Sequence, residues 1–312
     1  MRRFFLKEMK TPSFLQTGDT VGIVATSSRV LPKQWELALQ IIRSWGLQVE
    51  IGKNVYLQDG IFAGSDAQRL ENLVEMMCNP KIKAIFCVRG GYGCSRLLPL
   101  LENYSSKFTS KWLTGYSDVT ALASYMVNQL QTYCIHGSMA IDVSEGHTPK
   151  TQKSWEYLRN MLFGVLPFYN LPVHKFNRCG NVSAPIIGGN LSVLYSLNAT
   201  PYQWKTDGKI LFIEDVGEKL YHIDRMMTNL RTGGQLANLK GLLVGSMNAM
   251  HDSEPSYGKT AYQIIAQHVE EYNYPVAFGF PAGHDGVNYP LMLGAVVNMN
   301  VSEKSLIIDF KK

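Results

Sequence analysis

Ser117, in Gly115-Tyr116-Ser117-Asp118, is the first residue of this chain with an evident chemical use. Residues 111–114 predict a short strand and residues 118–127 a helix, so Ser117 falls where a strand turns sharply into a helix. A serine held at such an elbow projects its Oγ out of the backbone path, and the amide of Asp118, at the helix N-terminus, is free to bind a developing oxyanion. The ordinary alternative is a helix N-cap. To attack a carbonyl at neutral pH the serine needs a base within hydrogen-bond reach, and the base needs an acidic partner to fix its tautomer. Of the seven histidines, His147, His174, His251 and His268 fall in polar loops or on a polar helix face, and His222 is followed by Asp224-Arg225 on a helix. His136 and His284 differ, because each lies at a strand end beside glycine, where it can face a cleft. His284 can supply the base and Glu214, where an apolar strand runs out, its partner; Asp215 and Glu218 compete for that role, and spacing does not choose among them.

The elements that must position these residues alternate. Residues 20–25 form a continuous apolar run, 32–45 an amphipathic helix opened by Pro32, 47–51 a strand, and Ser65 caps a helix running to about Cys78. A third strand, 84–88, runs straight into Arg89-Gly90-Gly91-Tyr92-Gly93. Strand and helix in alternation predict a parallel sheet covered on both faces, and a glycine-rich loop at the carboxyl end of a strand is where such sheets bind ligands. Neither the GxGxxG dinucleotide fingerprint nor the GxxxxGK[ST] phosphate loop is present, so no nucleotide cofactor is expected. The proline-bearing stretch 167–185 has no helical period and is expected as a linker between residues 1–166 and a second domain, 186–312, that ends in β-rich sequence.

A chain of 312 residues, 46% apolar and 18% charged, has about two domains' worth of length and can bury its own cores. The net charge of +5 leaves no electrostatic footprint for nucleic acid. Five cysteines without CxxC spacing predict buried thiols in a reducing compartment, and with no HExxH pair or Cys/His cluster no zinc site is expected. The basic start lacks the long apolar region of a signal peptide, and no window approaches a membrane span, so a soluble cytoplasmic protein is expected.

Arg89-Gly90-Gly91-Tyr92-Gly93, Gly115-Tyr116-Ser117-Asp118, His136-Gly137, Gly188-Gly189-Asn190-Leu191, Glu214-Asp215 with Tyr221-x-Ile223-Asp224-Arg225, and Gly283-His284 resemble, in this order, the LD-carboxypeptidase family, which also contains the microcin-immunity serine peptidases. The resemblance implies a flavodoxin-like N-terminal α/β domain, a smaller β-rich C-terminal domain, and a cleft between them. It implies a Ser117-Glu214-His284 triad, with the amides of Asp118 and Gly91 as the oxyanion hole. It implies hydrolysis of the amide to a terminal D-alanine in murein peptides, in a homodimer, without cofactor or metal. An exopeptidase must also read a free carboxylate, for which Arg89, Gly90 and Arg225 are the candidates. Cleavage of peptidyl- or aminoacyl-nucleotide toxins is one alternative, and a non-catalytic binder of a small peptide or anion is another. Two positions depart from the family pattern: Ser138 follows His136-Gly137 where proline is usual, and Met292 stands in Leu291-Met292-Leu293-Gly294 where proline is usual.

Overall fold

The structure is a computed structural model that describes residues 9–144 and 146–310. In chain order its first part contains β1 (Thr20–Val24), α1 (Glu36–Ser44), β2 (Gln48–Ile51), α2 (Asp66–Cys78), β3 (Ile82–Cys87), α3 (Cys94–Leu101), β4 (Trp112–Thr114), α4 (Thr120–Asn128), β5 (Cys134–His136) and α5 (Pro149–Leu162). The second part contains β6 (Phe168–Leu171), β7 (Gly180–Asn190), α6 (Leu191–Ser196), β8 (Ile210–Val216), α7 (Leu220–Thr232), β9 (Gly241–Asn248), α8 (Ala261–His268), β10 (Val276–Phe278), β11 (Leu291–Leu293), β12 (Val296–Val301) and β13 (Leu306–Phe310).

Continuous apolar strands such as β1 and β3 are buried on both faces, as a parallel sheet covered by helices requires. Their order is β2-β1-β3-β4-β5, all parallel, which is the flavodoxin-like arrangement. The chain reverses its direction of travel across the sheet between β1 and β3. Loops leaving the carboxyl ends of these two strands therefore diverge and open a crevice. Local chemistry sets the helix starts: Ser65 accepts from the Gln68 amide while the Gln68 side chain returns to the Ser65 amide, and Asn190 accepts from the Val193 amide.

The second sheet has the order β10-β9-β8-β7-β12-β13-β6. Strands β7 to β10 are parallel, and β12, β13 and β6 extend the sheet by antiparallel pairing. Two features correct the expected domain division. Residues 167–185 are not a linker: they include β6 and the first half of β7, paired to β13 and β12 and joined by a loop. The second part of the chain also returns to the first sheet, where β11 pairs antiparallel with β5 and forms its edge. In both cases the partner lies more than 100 residues away, so no local period announces the strand. The two parts are tied at their seam, where Ser124 Oγ donates to the Tyr202 carbonyl, Tyr202 OH to Glu102 (2.6 Å), and Tyr169 OH to the Pro290 carbonyl (2.8 Å).

Candidate active site

At the carboxyl end of β4, the turn closes tightly because residue 115 is glycine: a Cβ there would lie 2.9 Å from the Val119 side chain. Ser117 then adopts φ 61°. For a non-glycine residue that left-handed backbone costs roughly 1–2 kcal/mol, and it aims Oγ away from the helix that follows. Ser117 to Val119 form a single 3-10 turn leading into α4, so the first amides of the turn have no intrahelical partner.

The glycine loop after β3 is packed onto this elbow. A Cβ on Gly90 would sit 2.8 Å from Ser117 Cβ and 2.9 Å from its Oγ, and one on Gly91, whose φ is 114°, would meet Ser28 Oγ at 2.1 Å. Glycine at both positions lets the loops after β1, β3 and β4 converge on one point. The Asp118 carboxylate fastens them: its Oδ2 accepts from Ser27 Oγ (2.6 Å) and from the Cys94 amide (2.9 Å), all three residues being buried. Its role as a tie between loops was not foreseen, although the aspartate of the elbow motif was its signal.

The second sheet contributes the acid and base candidates. Glu214, on β8, is wholly buried rather than at a solvent edge, because β8 continues to Val216. Its Oε2 lies 2.7 Å from His284 Nδ1. Gly283 makes that approach possible, since its φ is 121° and a Cβ there would lie 2.7 Å from Glu214 Oε2. The His284 backbone is pinned at both ends: its amide donates to Ser246 Oγ (3.1 Å) and its carbonyl accepts from Asn248 Nδ2 (3.0 Å). Burial alone would lower the His284 pKa, but the hydrogen bond and charge of Glu214, with Asp215 and Asp142 behind, raise it above its ordinary value of 6.5.

The competing carboxylates are used elsewhere. Strand alternation turns Asp215 to the opposite face from Glu214, where it accepts from Asn190 Nδ2, Val216 N and Ser192 N, each at 2.9 Å. Burial, with the Glu214 charge next, pushes the Asp215 carboxyl up to about 7. Glu218 pairs with His222 Nδ1 at 2.5 Å.

Ser117, Asp118 and Gly91 thus line one cleft of about 260 Å³ together with Tyr92, Asn190 and Asp215. Ser117 and His284 share no hydrogen bond among the described residues. They are linked through Tyr116, which precedes the serine and whose ring meets His284 edge-on at 4.8 Å. Tyr116 OH donates to Asp142 (2.9 Å), which holds the ring in place. The arginines are not brought to the cleft. Arg89 donates to the Arg29 carbonyl (3.1 Å), and Arg225 is exposed on α7 with its guanidinium over Tyr221. Ser138 and Met292 are both buried, and Met292 pairs with Ile135 between β11 and β5, so the departures from the family pattern lie under the site and not on the cleft wall.

Two sequence descriptions match this chain: the N-terminal domain of LD-carboxypeptidase over residues 21–137, and the C-terminal domain over residues 183–299. The chain belongs to the LD-carboxypeptidase family. A relative named probable murein peptide carboxypeptidase from Bacillus subtilis (strain 168) is 33% identical over 304 residues, covering 96% of this chain and 94% of that protein. The fold is shared with muramoyltetrapeptide carboxypeptidase from Oxalobacter formigenes (TM-score 0.82, 24% identity, covering 94% of this chain and 99% of that chain). It is shared equally with MccF in complex with glutamyl sulfamoyl guanosine (TM-score 0.84, 19% identity, covering 98% and 99%). The chain is a serine peptidase of this family, which sets aside the reading as a non-catalytic binder. No helix among the described residues is long and apolar enough to cross a membrane.

Proposed function

We propose that this LD-carboxypeptidase hydrolyses the amide to the terminal D-alanine of murein tetrapeptide through Ser117, His284 and Glu214. The observation that carries the reading is the 2.7 Å bond between His284 Nδ1 and the buried Glu214, edge-on to Tyr116 beside a serine in left-handed backbone. Ser117 Oγ attacks the carbonyl carbon while His284 Nε2 takes its proton, and the amides of Asp118 and Gly91 receive the oxyanion. Glu214 keeps the proton of neutral His284 on Nδ1 and stabilises the imidazolium that forms. His284 then hands its proton to the departing D-alanine nitrogen. Water enters, gives a proton to His284 and its oxygen to the acyl carbon, and Ser117 Oγ departs with the proton from His284, restoring both groups.

The three buried free thiols, Cys87, Cys94 and Cys134, support a reducing, cytoplasmic setting, and with it a role in recycling cell-wall peptides. A second reading, cleavage of an aminoacyl-nucleotide conjugate, is favoured by Tyr92, which is half exposed on the cleft wall and offers a ring on which a base can stack. The test is D-alanine release from murein tetrapeptide at neutral pH with EDTA present. Release by the wild type and none by Ser117→Ala is expected. Turnover of an aminoacyl sulfamoyl nucleoside without D-alanine release would instead select the second reading.

A further inference from the structure

His136 stands out in the sequence beside His284, and the triad leaves it without a task. It ends β5, is 1% exposed, and packs its ring edge-on to Phe212 at 4.8 Å and 5.7 Å from Tyr116. Phe212 and Glu214 are two apart on β8 and share a face. Among the described residues three buried side-chain atoms have no hydrogen-bond partner, Glu214 Oε1, His136 Nε2 and Asn288 Nδ2, and both Glu214 and Asn288 act on the His136 ring. Asn288 is fixed from its other side, since its Oδ1 accepts from the Gly283 amide (3.1 Å), which also decides which end of the amide is oxygen. Its own amide donates to Ser154 Oγ (2.9 Å). Burial lowers the His136 pKa to about 4 against the upward pull of Glu214 and of the neighbouring Asn288 side chain. The imidazole is therefore neutral at pH 7 and carries one N–H, which the assignment places on Nε2.

Two donors and one acceptor are the set that a single water satisfies with three hydrogen bonds. We propose that His136 Nε2 and Asn288 Nδ2 hold one bound water against Glu214 Oε1, and that this fixes the carboxylate whose other oxygen binds His284. The assignment rests on the triad reading and makes His136 a positioning residue: with both oxygens engaged, the carboxylate cannot turn away from Nδ1.

The experiment follows the rate at which a fluorophosphonate modifies Ser117, which needs an activated serine but no knowledge of the substrate. His136→Phe should slow modification about 10- to 100-fold, the loss expected when a charged buried group loses a hydrogen-bonded partner. His136→Gln, whose amide nitrogen reaches the position of Nε2, should stay within about threefold of wild type. Wild-type rates in His136→Phe would overturn the proposal, and so would equal slowing in both variants, which would mean that the ring only fills space against Phe212. Should His136→Phe fail to fold, diffraction from the wild type at about 1.2 Å decides, because ordered water is placed with confidence there. A peak within hydrogen-bond distance of both Glu214 Oε1 and His136 Nε2 is expected, and a dry site would refute the assignment. If the wild type itself were not modified at Ser117, the triad reading would fall and this proposal with it, an outcome distinct from any difference between the two variants.

Discussion

Ser117 and its glycine loop are held by backbone geometry, with φ 61° at the serine and side-chain space removed at Gly90 and Gly91, whereas Glu214 and His284 are held by burial and a charged hydrogen bond. The first arrangement is local and comes from one strand-helix junction. The second needs three strand ends of another sheet, β8 for Glu214, β9 for Ser246 and Asn248, and the loop after β10 for His284. The difference suggests that the nucleophile side fails by steric change and the acid-base side by electrostatic change.

Glu214→Gln breaks the electrostatic side with little change of shape. If the proposed triad holds, hydrolysis of the proposed substrate, murein tetrapeptide, should fall about 10³- to 10⁴-fold in kcat, as when the carboxylate of a triad is neutralised, while the melting temperature stays close to wild type. A loss below tenfold would remove Glu214 from the triad. On the other side, Gly90→Ala places a methyl 2.9 Å from Ser117 Oγ, in backbone that needs no left-handed φ. Activity should drop by roughly 10²-fold, the scale of an ångström-sized misplacement of a reacting group. Gly283→Ala, with φ 121° and a contact to Glu214, should lose stability as well, and thermal unfolding of the two variants separates these outcomes.

The acid limb of kcat/KM should lie above pH 6.5, since the raised His284 must be neutral to act as base, and protonation on lowering the pH removes activity. In Glu214→Gln only burial remains as the main influence, so the limb of the residual activity should move to lower pH. The same raised value predicts that the pair's contribution to stability is complete below about pH 6.5 and is lost as pH rises through the folded-state pKa, which thermal unfolding across pH would show. The smallest effect is expected at Arg225→Ala. With its guanidinium over Tyr221 and outside the cleft lining, KM for free-acid and amidated peptides should change less than about twofold, as for surface substitutions. A selective rise for the free acid would bring Arg225 back as the carboxylate anchor.

How much could be read from the residues follows the same division. The elbow, the glycine loop and the cap at Ser65 are short-range features, and each was visible as a residue type at a fixed offset. So was the alternation behind the β2-β1-β3-β4-β5 order. Strand β6 was not, and neither was the pairing of the β-rich segment 291–293 with the first sheet, because both depend on partners far along the chain and a proline-flanked run of four residues carries no period of its own. From the sequence Glu214 lies where an apolar strand runs out, since a carboxylate after four apolar residues, Ile210 to Ile213, usually ends the buried stretch. Here the carboxylate is kept inside by His284, a partner 70 residues away.

The pairing of β11 with β5 also has a consequence for biosynthesis. Until residues 291–293 leave the ribosome, β5 is an open edge of the first sheet, waiting for a partner far along the chain. His136, opposite Leu291 in that pairing, gains its full enclosure at the same moment. A nascent or truncated chain that stops before β11 would therefore carry the serine elbow without a finished pocket, and an unpaired strand available to other chains. Hydrolytic competence would thus wait for β11 to be made.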